Sequence, residues 1–367
     1  MKKQDAPGPE LGAASPDSNR LPELDAFRGI AVICVVLFHL TARFESIYSH
    51  GRPLLLSFTI GGHAVLLFFL ISGFVIPLTL ERTRNPLDYI MARFSRLYPA
   101  YWISVAITFF VVMIFTLPGR EVSTNVALLN LTMLQGFLGV AAVDGVYWIL
   151  SINLTFYAIM FFVYVIKQTN HLRRFAFAWV LVTVLNQLMK NTVGIDWPGD
   201  QIVFLQNYVP MFMAGTVFYK MRSEGIRTVD HMSLMFYLGA QWYVSNWQNA
   251  AAMCAMYLLF YLYIYDGIKW LAVRPLLFVG GISYSLYLIH QNVGYVILRG
   301  LYGWGLDPLG AIPIAVVGVV IVATGITYLI ERPASRMIRR RYRVGMGRWM
   351  DRRVSTHSDA GVSRPVE

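Results

Sequence analysis

Apolar runs long enough to cross a bilayer recur along this chain, as at 105–117, 146–166 and 311–330 with their flanks. A hydrocarbon core about 30 Å thick needs a helix of about 20 apolar residues. Of the 367 residues, 56% are hydrophobic and only 14% are charged, against about a quarter charged in ordinary globular domains. A soluble fold cannot be made from that material. The fold class expected is all-α integral membrane, a polytopic bundle of about ten transmembrane helices. They are expected near 24–41, 60–80, 98–117, 146–167, 174–190, 201–220, 232–247, 249–265, 278–298 and 311–330.

Loop charges orient these spans. Arg82, Arg84, Arg93 and Arg96 mark one basic loop, and Lys167, Arg173 and Arg174 a second. Lys220, Arg222 and Arg227 mark a third, Lys269 and Arg274 a fourth. All four fall on the side of both tails only if the apolar stretch 122–140 does not cross, and the positive-inside rule makes that side the cytoplasm. Segment 118–145 is therefore expected as an outer re-entrant or interfacial piece. The leader 1–20, rich in Pro, Ser, Gly and Ala and without a cleavable signal pattern, reads as disordered and cytoplasmic. Residues 21–335 read as one membrane unit and 336–367 as a basic cytoplasmic tail.

The net charge of +11 raises the question of nucleic acid. Its placement answers for a lipid bilayer instead: Arg336, Arg339, Arg340, Arg341, Arg343, Arg348, Arg352 and Arg353 crowd behind the last apolar run, as in an anchor beside anionic lipid. The only cysteines, Cys34 and Cys254, lie inside apolar runs, so neither a disulfide framework nor a metal site is expected.

An ionisable group at membrane depth is costly and marks function by default. The first span opens with Asp25 and Arg28 and nearly ends with His39. Arg28 and His39 are eleven residues apart, close to a whole number of helical turns, so they share one face about 16 Å apart, with Asp25 within about 40° of it. The plainer reading is an interfacial ion pair and an outer-headgroup histidine. Arg93 and Arg96 lie at i and i+3, followed by Tyr101 and Trp102. Their forks suit bidentate phosphate binding, and a positive-inside anchor with an aromatic belt fits equally. Ser72-Gly73-Phe74 and Pro77 late in the second span imply either a helix break that lines a cavity or a packing kink. Trp148, Asn153, Tyr157 and His290 are weaker candidates. Glu331, directly before Arg332 and Pro333, reads most simply as a helix-end residue held by a neighbouring arginine. His50 and His63 read as outer-loop residues.

Together these pieces resemble the membrane acyltransferases of acyltransferase family 3, over about 24–333. Arg28 and His39 match the family's Arg-x10-His signature, and Ser72-Gly73-Phe74 its Ser-Gly-Phe element. Arg93-x-x-Arg96-x-x-Pro99-x-Tyr101-Trp102 matches its second arginine motif. Ser283 to His290 and Glu331-Arg332-Pro333 resemble its closing elements. The resemblance implies O-acyl transfer, usually of acetyl from cytoplasmic acetyl-CoA, to a hydroxyl of an envelope glycan, a lipid-linked sugar or a glycosylated small molecule. It also implies a bacterial inner-membrane location.

The same resemblance implies His39 as general base or part of the proton path. Arg28 would be the orienting charge, with Asp25 completing the catalytic set, and Arg93 and Arg96 would hold CoA phosphates. Ser72, Trp148, Asn153, Tyr157, His290 and Glu331 form the remaining site set. One residue departs from the pattern: the family usually has glutamate where this chain has Asn153, which cannot ionise. That departure keeps open a CoA-binding pseudoenzyme. The broken-helix reading keeps open a transporter or flippase of a lipid-linked saccharide.

Overall fold

The computed structural model describes residues 21–54, 56–194 and 205–345. The leader 1–20, the tail beyond 345 and the first four residues of the expected span 201–220 lie outside the described residues. Among the described residues the protein is entirely helical, without a strand. In chain order the helices are α1 (Pro22–Phe38), α2 (Val65–Glu81), α3 (Pro86–Phe115), α4 (Thr124–Asn130), α5 (Trp148–Val165), α6 (Leu172–Val193), α7 (Val209–Glu224), α8 (Thr228–Val244), α9 (Trp247–Ile264), α10 (Arg274–Gly303) and α11 (Pro308–Gly325).

Among the described residues five stretches are long and apolar enough to cross a membrane: Pro22–Tyr48, Thr59–Glu81, Pro86–Phe115, Gly145–Val165 and Pro308–Gly345. The last of them runs on past α11, so the tail boundary expected at 335 falls inside a continuous helix. The other long helices, α6 to α10, coincide with the remaining apolar runs of the sequence. In α10 the mean hydropathy is diluted by side chains that face inward. Ser283, Ser285, His290, Gln291 and Asn292 are all buried, and α10 packs along α1, α3 and α11.

Two crossings depend on the missing side chain of glycine. A Cβ on Gly280 would lie 1.9 Å from the Asp25 carbonyl oxygen, and one on Gly73 1.9 Å from that of Phe212. Such close approach is how helices pack where hydrophobic burial gives no net drive between them. Gly73 therefore serves contact with α7, and the helix break considered for Ser72–Pro77 is not found, since α2 runs unbroken through Pro77. Proline at 77 deprives the Gly73 carbonyl of its i+4 donor. The hydroxyl of Thr216 supplies the missing hydrogen bond at 3.1 Å.

The segment between α3 and α5 contains the seven-residue α4, about 10 Å long and too short to span, and a 3-10 turn at Gly145–Tyr147. Backbone at membrane depth must find partners within the protein. Tyr101 Oη donates to the Asn130 carbonyl at 2.8 Å, Trp102 Nε1 to Leu131 at 2.9 Å and Tyr98 Oη to Thr132 at 3.1 Å. The aromatic side chains read as a belt after Arg96 thus hold this loop against α3. Asn130 ties the loop to itself through the Val126 and Ala141 carbonyls and the Val143 N–H.

Candidate active site

Helix α1 carries the first group of candidates. Arg28 Nη1 meets Asp25 Oδ1 at 2.7 Å, the i, i+3 pairing that one helix face allows. His39 opens a π-helical turn, His39–Arg43. A second π-helical turn, Ile326–Glu331, ends on Glu331. Such turns displace side chains from the ordinary helical register and concentrate at functional sites.

Three cavities follow one another between these groups. The first, about 580 Å³, is a mouth lined by Arg28, Arg82, Arg93, Arg339 and Arg343, with Asp25 and Asp88. The second, about 150 Å³, is lined by Arg28, Arg93, Arg96, Ser72, Asn153, Tyr157 and Tyr284 among others, and no carboxylate lines it. The third, about 310 Å³, is lined by His39, Arg43, Arg120, Trp148 and Gln291. Arg28 and Arg93 are walls of both the first and the second. Tyr287 stands between the second and the third, with its hydroxyl donating to the Val146 carbonyl at 3.1 Å.

The two arginines of the second motif have different surroundings. Arg93 lies over the rings of Tyr89 and Tyr157 at 5.9 and 5.7 Å, and it forms no ion pair among the described residues. Arg96 pairs with Glu331 and sits 5.8 Å from the Tyr284 ring centroid. Glu331 is only 2% exposed and also accepts from Ser285 Oγ at 2.8 Å. Its partner is thus Arg96 from a distant helix, and the neighbouring arginine expected for it is not its partner. Arg332 instead lies over the Tyr328 ring.

Asn153 donates through Nδ2 to the Ile149 carbonyl at 3.0 Å and accepts from Ser72 Oγ at 3.3 Å. His290 is fully buried, and its ring centroid lies 4.9 Å from that of His39. Its Nδ1 contacts the Tyr287 carbonyl at 2.8 Å, and its Nε2 has no partner. His39 Nδ1 faces Tyr295 Oη at 3.4 Å. Of the two histidines read as outer-loop residues, His50 is buried against Tyr302 Oη and the Thr41 carbonyl, and His63 meets Asn249.

The structure adds residues that the sequence reading left unassigned. Tyr295 and Tyr287 come from α10, and Arg43 follows His39 by one turn. Arg120 comes from the re-entrant segment. Arg339 and Arg343 had read as lipid anchors, yet they line the mouth. Arg339 Nε donates to Ser95 Oγ at 3.0 Å, and Tyr342 Oη to Asp88 at 2.9 Å. A basic run after the last span is the one signal that could have found them.

The described residues thus give a helical protein with stretches long and apolar enough to cross a membrane, and a cavity series that joins an arginine-lined mouth to a histidine pair. Residues 21–331 match the acyltransferase domain, and the chain belongs to that family. It is similar to Acyltransferase MdmB of Streptomyces mycarofaciens, 25% identical over 362 residues that cover 88% of this chain and 93% of the relative. No solved structure matches it.

Proposed function

We propose that this acyltransferase is a ten-span protein of the bacterial cytoplasmic membrane, with both termini in the cytoplasm. In this reading it moves an acetyl group from cytoplasmic acetyl-CoA to a hydroxyl of an envelope glycan, a lipid-linked sugar or a glycosylated small molecule. The observation that carries the reading is the series of cavities, with its arginines at one end and His39 at the other. Arg82, Arg93, Arg339 and Arg343 supply phosphate-binding forks at the mouth. Arg96 joins them with the donors that Glu331 leaves free, since a guanidinium has five. The pantetheine arm threads past Arg28 and Tyr287 and brings the thioester toward His39.

With its Nδ1–H turned to Tyr295, His39 presents the Nε2 lone pair to the acceptor hydroxyl. It takes the hydroxyl proton as the oxygen attacks the thioester carbon, the C–S bond breaks, and the proton leaves with the CoA thiol. Arg28, held by Asp25, orients the donor. Trp148, 40% exposed, offers the acceptor an aromatic face. Asn153 favours one second reading, a CoA-binding pseudoenzyme on the same scaffold.

The test uses purified protein in lipid with acetyl-labelled acetyl-CoA and an envelope-glycan extract. Label should pass to the extract with the parent and fall about 10²–10⁴-fold with His39→Ala, the usual worth of a positioned base. Transfer undiminished in His39→Ala would refute the assignment. CoA binding without any transfer by the parent would favour the pseudoenzyme.

A further inference from the structure

Several arginines of this bundle have a carboxylate partner among the described residues. Arg28 has Asp25, Arg96 has Glu331, Arg173 has Asp230 and Arg222 has Asp266. Arg43 and Arg120 do not, although both line the cavity that contains His39. The acids near them take hydrogen bonds from neutral donors and form no ion pair with either arginine among the described residues. Glu45 accepts the His50 backbone N–H at 2.7 Å and the Ser49 hydroxyl at 3.1 Å. Glu121 accepts the backbone N–H of Arg120 at 3.1 Å. Asp144 accepts the N–H groups of Val146 at 3.2 Å and Asn292 at 3.0 Å. Two guanidinium groups therefore border one partly enclosed space that has no carboxylate in its walls, so an anion entering it would meet charged forks.

A second observation points to the same place. Gln291 is 3% exposed and lines this cavity, yet its side-chain amide makes no hydrogen bond among the described residues. Buried amides are ordinarily satisfied. A Cβ on Gly145 would lie 3.2 Å from Arg120 Nη1 and 3.2 Å from Gln291 Nε2. The absent side chain thus leaves a point where a guanidinium and the Gln291 amide converge, its Oε1 also 3.3 Å away, and an oxygen on the Nε2 side of it would meet both donors.

We propose that the acyl acceptor is anionic, and that a phosphate or carboxylate group on it is held by Arg43, Arg120 and Gln291 while its hydroxyl faces His39. This rests on the acyl-transfer reading for the word acceptor, but the anion site itself does not depend on it. Charged forks favour planar or tetrahedral oxyanions, and a neutral glycan would make no charge-assisted hydrogen bond with either arginine.

The test is equilibrium binding of labelled inorganic pyrophosphate to the full chain in phosphatidylcholine nanodiscs, with saturating CoA to occupy the cytoplasmic mouth. The parent should bind, and Arg43→Gln and Arg120→Gln should each weaken binding at least about tenfold, the scale of one lost charge-assisted hydrogen bond. Gly145→Ala, which removes no charge, should weaken it by filling the convergence point. CoA affinity should stay unchanged in all three, which also shows that they fold. Equal pyrophosphate affinity in parent and variants would overturn the proposal. So would loss of the parent's binding when phosphatidylglycerol replaces phosphatidylcholine, since lipid headgroups would then be the occupant. Failure of CoA to bind would remove the donor reading and leave the anion result standing.

Discussion

Asn153 is where a single residue decides most. Its amide is spent on the Ile149 carbonyl and on Ser72, in a cavity that also exposes Arg28 and Arg93 and has no acid in its walls. Glutamate is one methylene longer and would put a carboxylate among those guanidinium groups. Asn153→Glu should leave acetyl transfer equal to the parent's or raise it, by up to about 10²-fold if the acid handles a proton. Transfer of labelled acetyl measures this. A clear loss would mean that asparagine is native to this site's chemistry. His290 makes a related point. With Nδ1–H donated to the Tyr287 carbonyl, its Nε2 is left as a bare acceptor beside His39, placed to bias which nitrogen of His39 carries the proton.

Among the elements, α2 and α7 show how a helix tolerates proline inside a membrane. Pro77 frees one carbonyl, and Thr216 from the neighbouring helix satisfies it. Thr216→Val keeps the shape and removes the donor, and should cost about 1–3 kcal/mol, read as a lower unfolding temperature in detergent. An unchanged temperature would show that the Gly73 carbonyl needs no such partner.

Much of this level was legible in the sequence because hydropathy is local: the apolar runs reappear as helices, and 118–145, expected from charge alone not to cross, has no α-helix longer than the seven-residue α4. The break at Pro77 was misread because proline reports a lost hydrogen bond but not the residue that replaces it. The Arg96–Glu331 pair joins positions 235 apart in sequence, which no local pattern encodes. The two π-helical turns shift His39, Arg43 and Glu331 off a 3.6-residue repeat, so helical spacing could not place them finely. Arg43 and Arg120 stood outside every motif; Arg43 lies one turn beyond His39, and only the fold brings Arg120 to the same cavity.

At the scale of the whole molecule, the proposed function assigns two tasks to two ends of the cavity series: phosphates at the arginine-lined mouth and the proton beyond Tyr287. The helix that runs on from α11 contributes to that mouth through Arg339 and Arg343. Aromatic donors of α3 hold the re-entrant loop that supplies Arg120 to the far cavity.

The division of labour is tested most directly by measuring CoA affinity and acetyl transfer side by side on Arg93→Gln and His39→Ala in nanodiscs. Arg93→Gln should weaken CoA binding at least about tenfold with transfer restored at saturating donor. His39→Ala should bind CoA like the parent and lose transfer. If both variants fail in the same measurement, or if His39→Ala loses CoA instead, donor binding and proton transfer are not separated along this path.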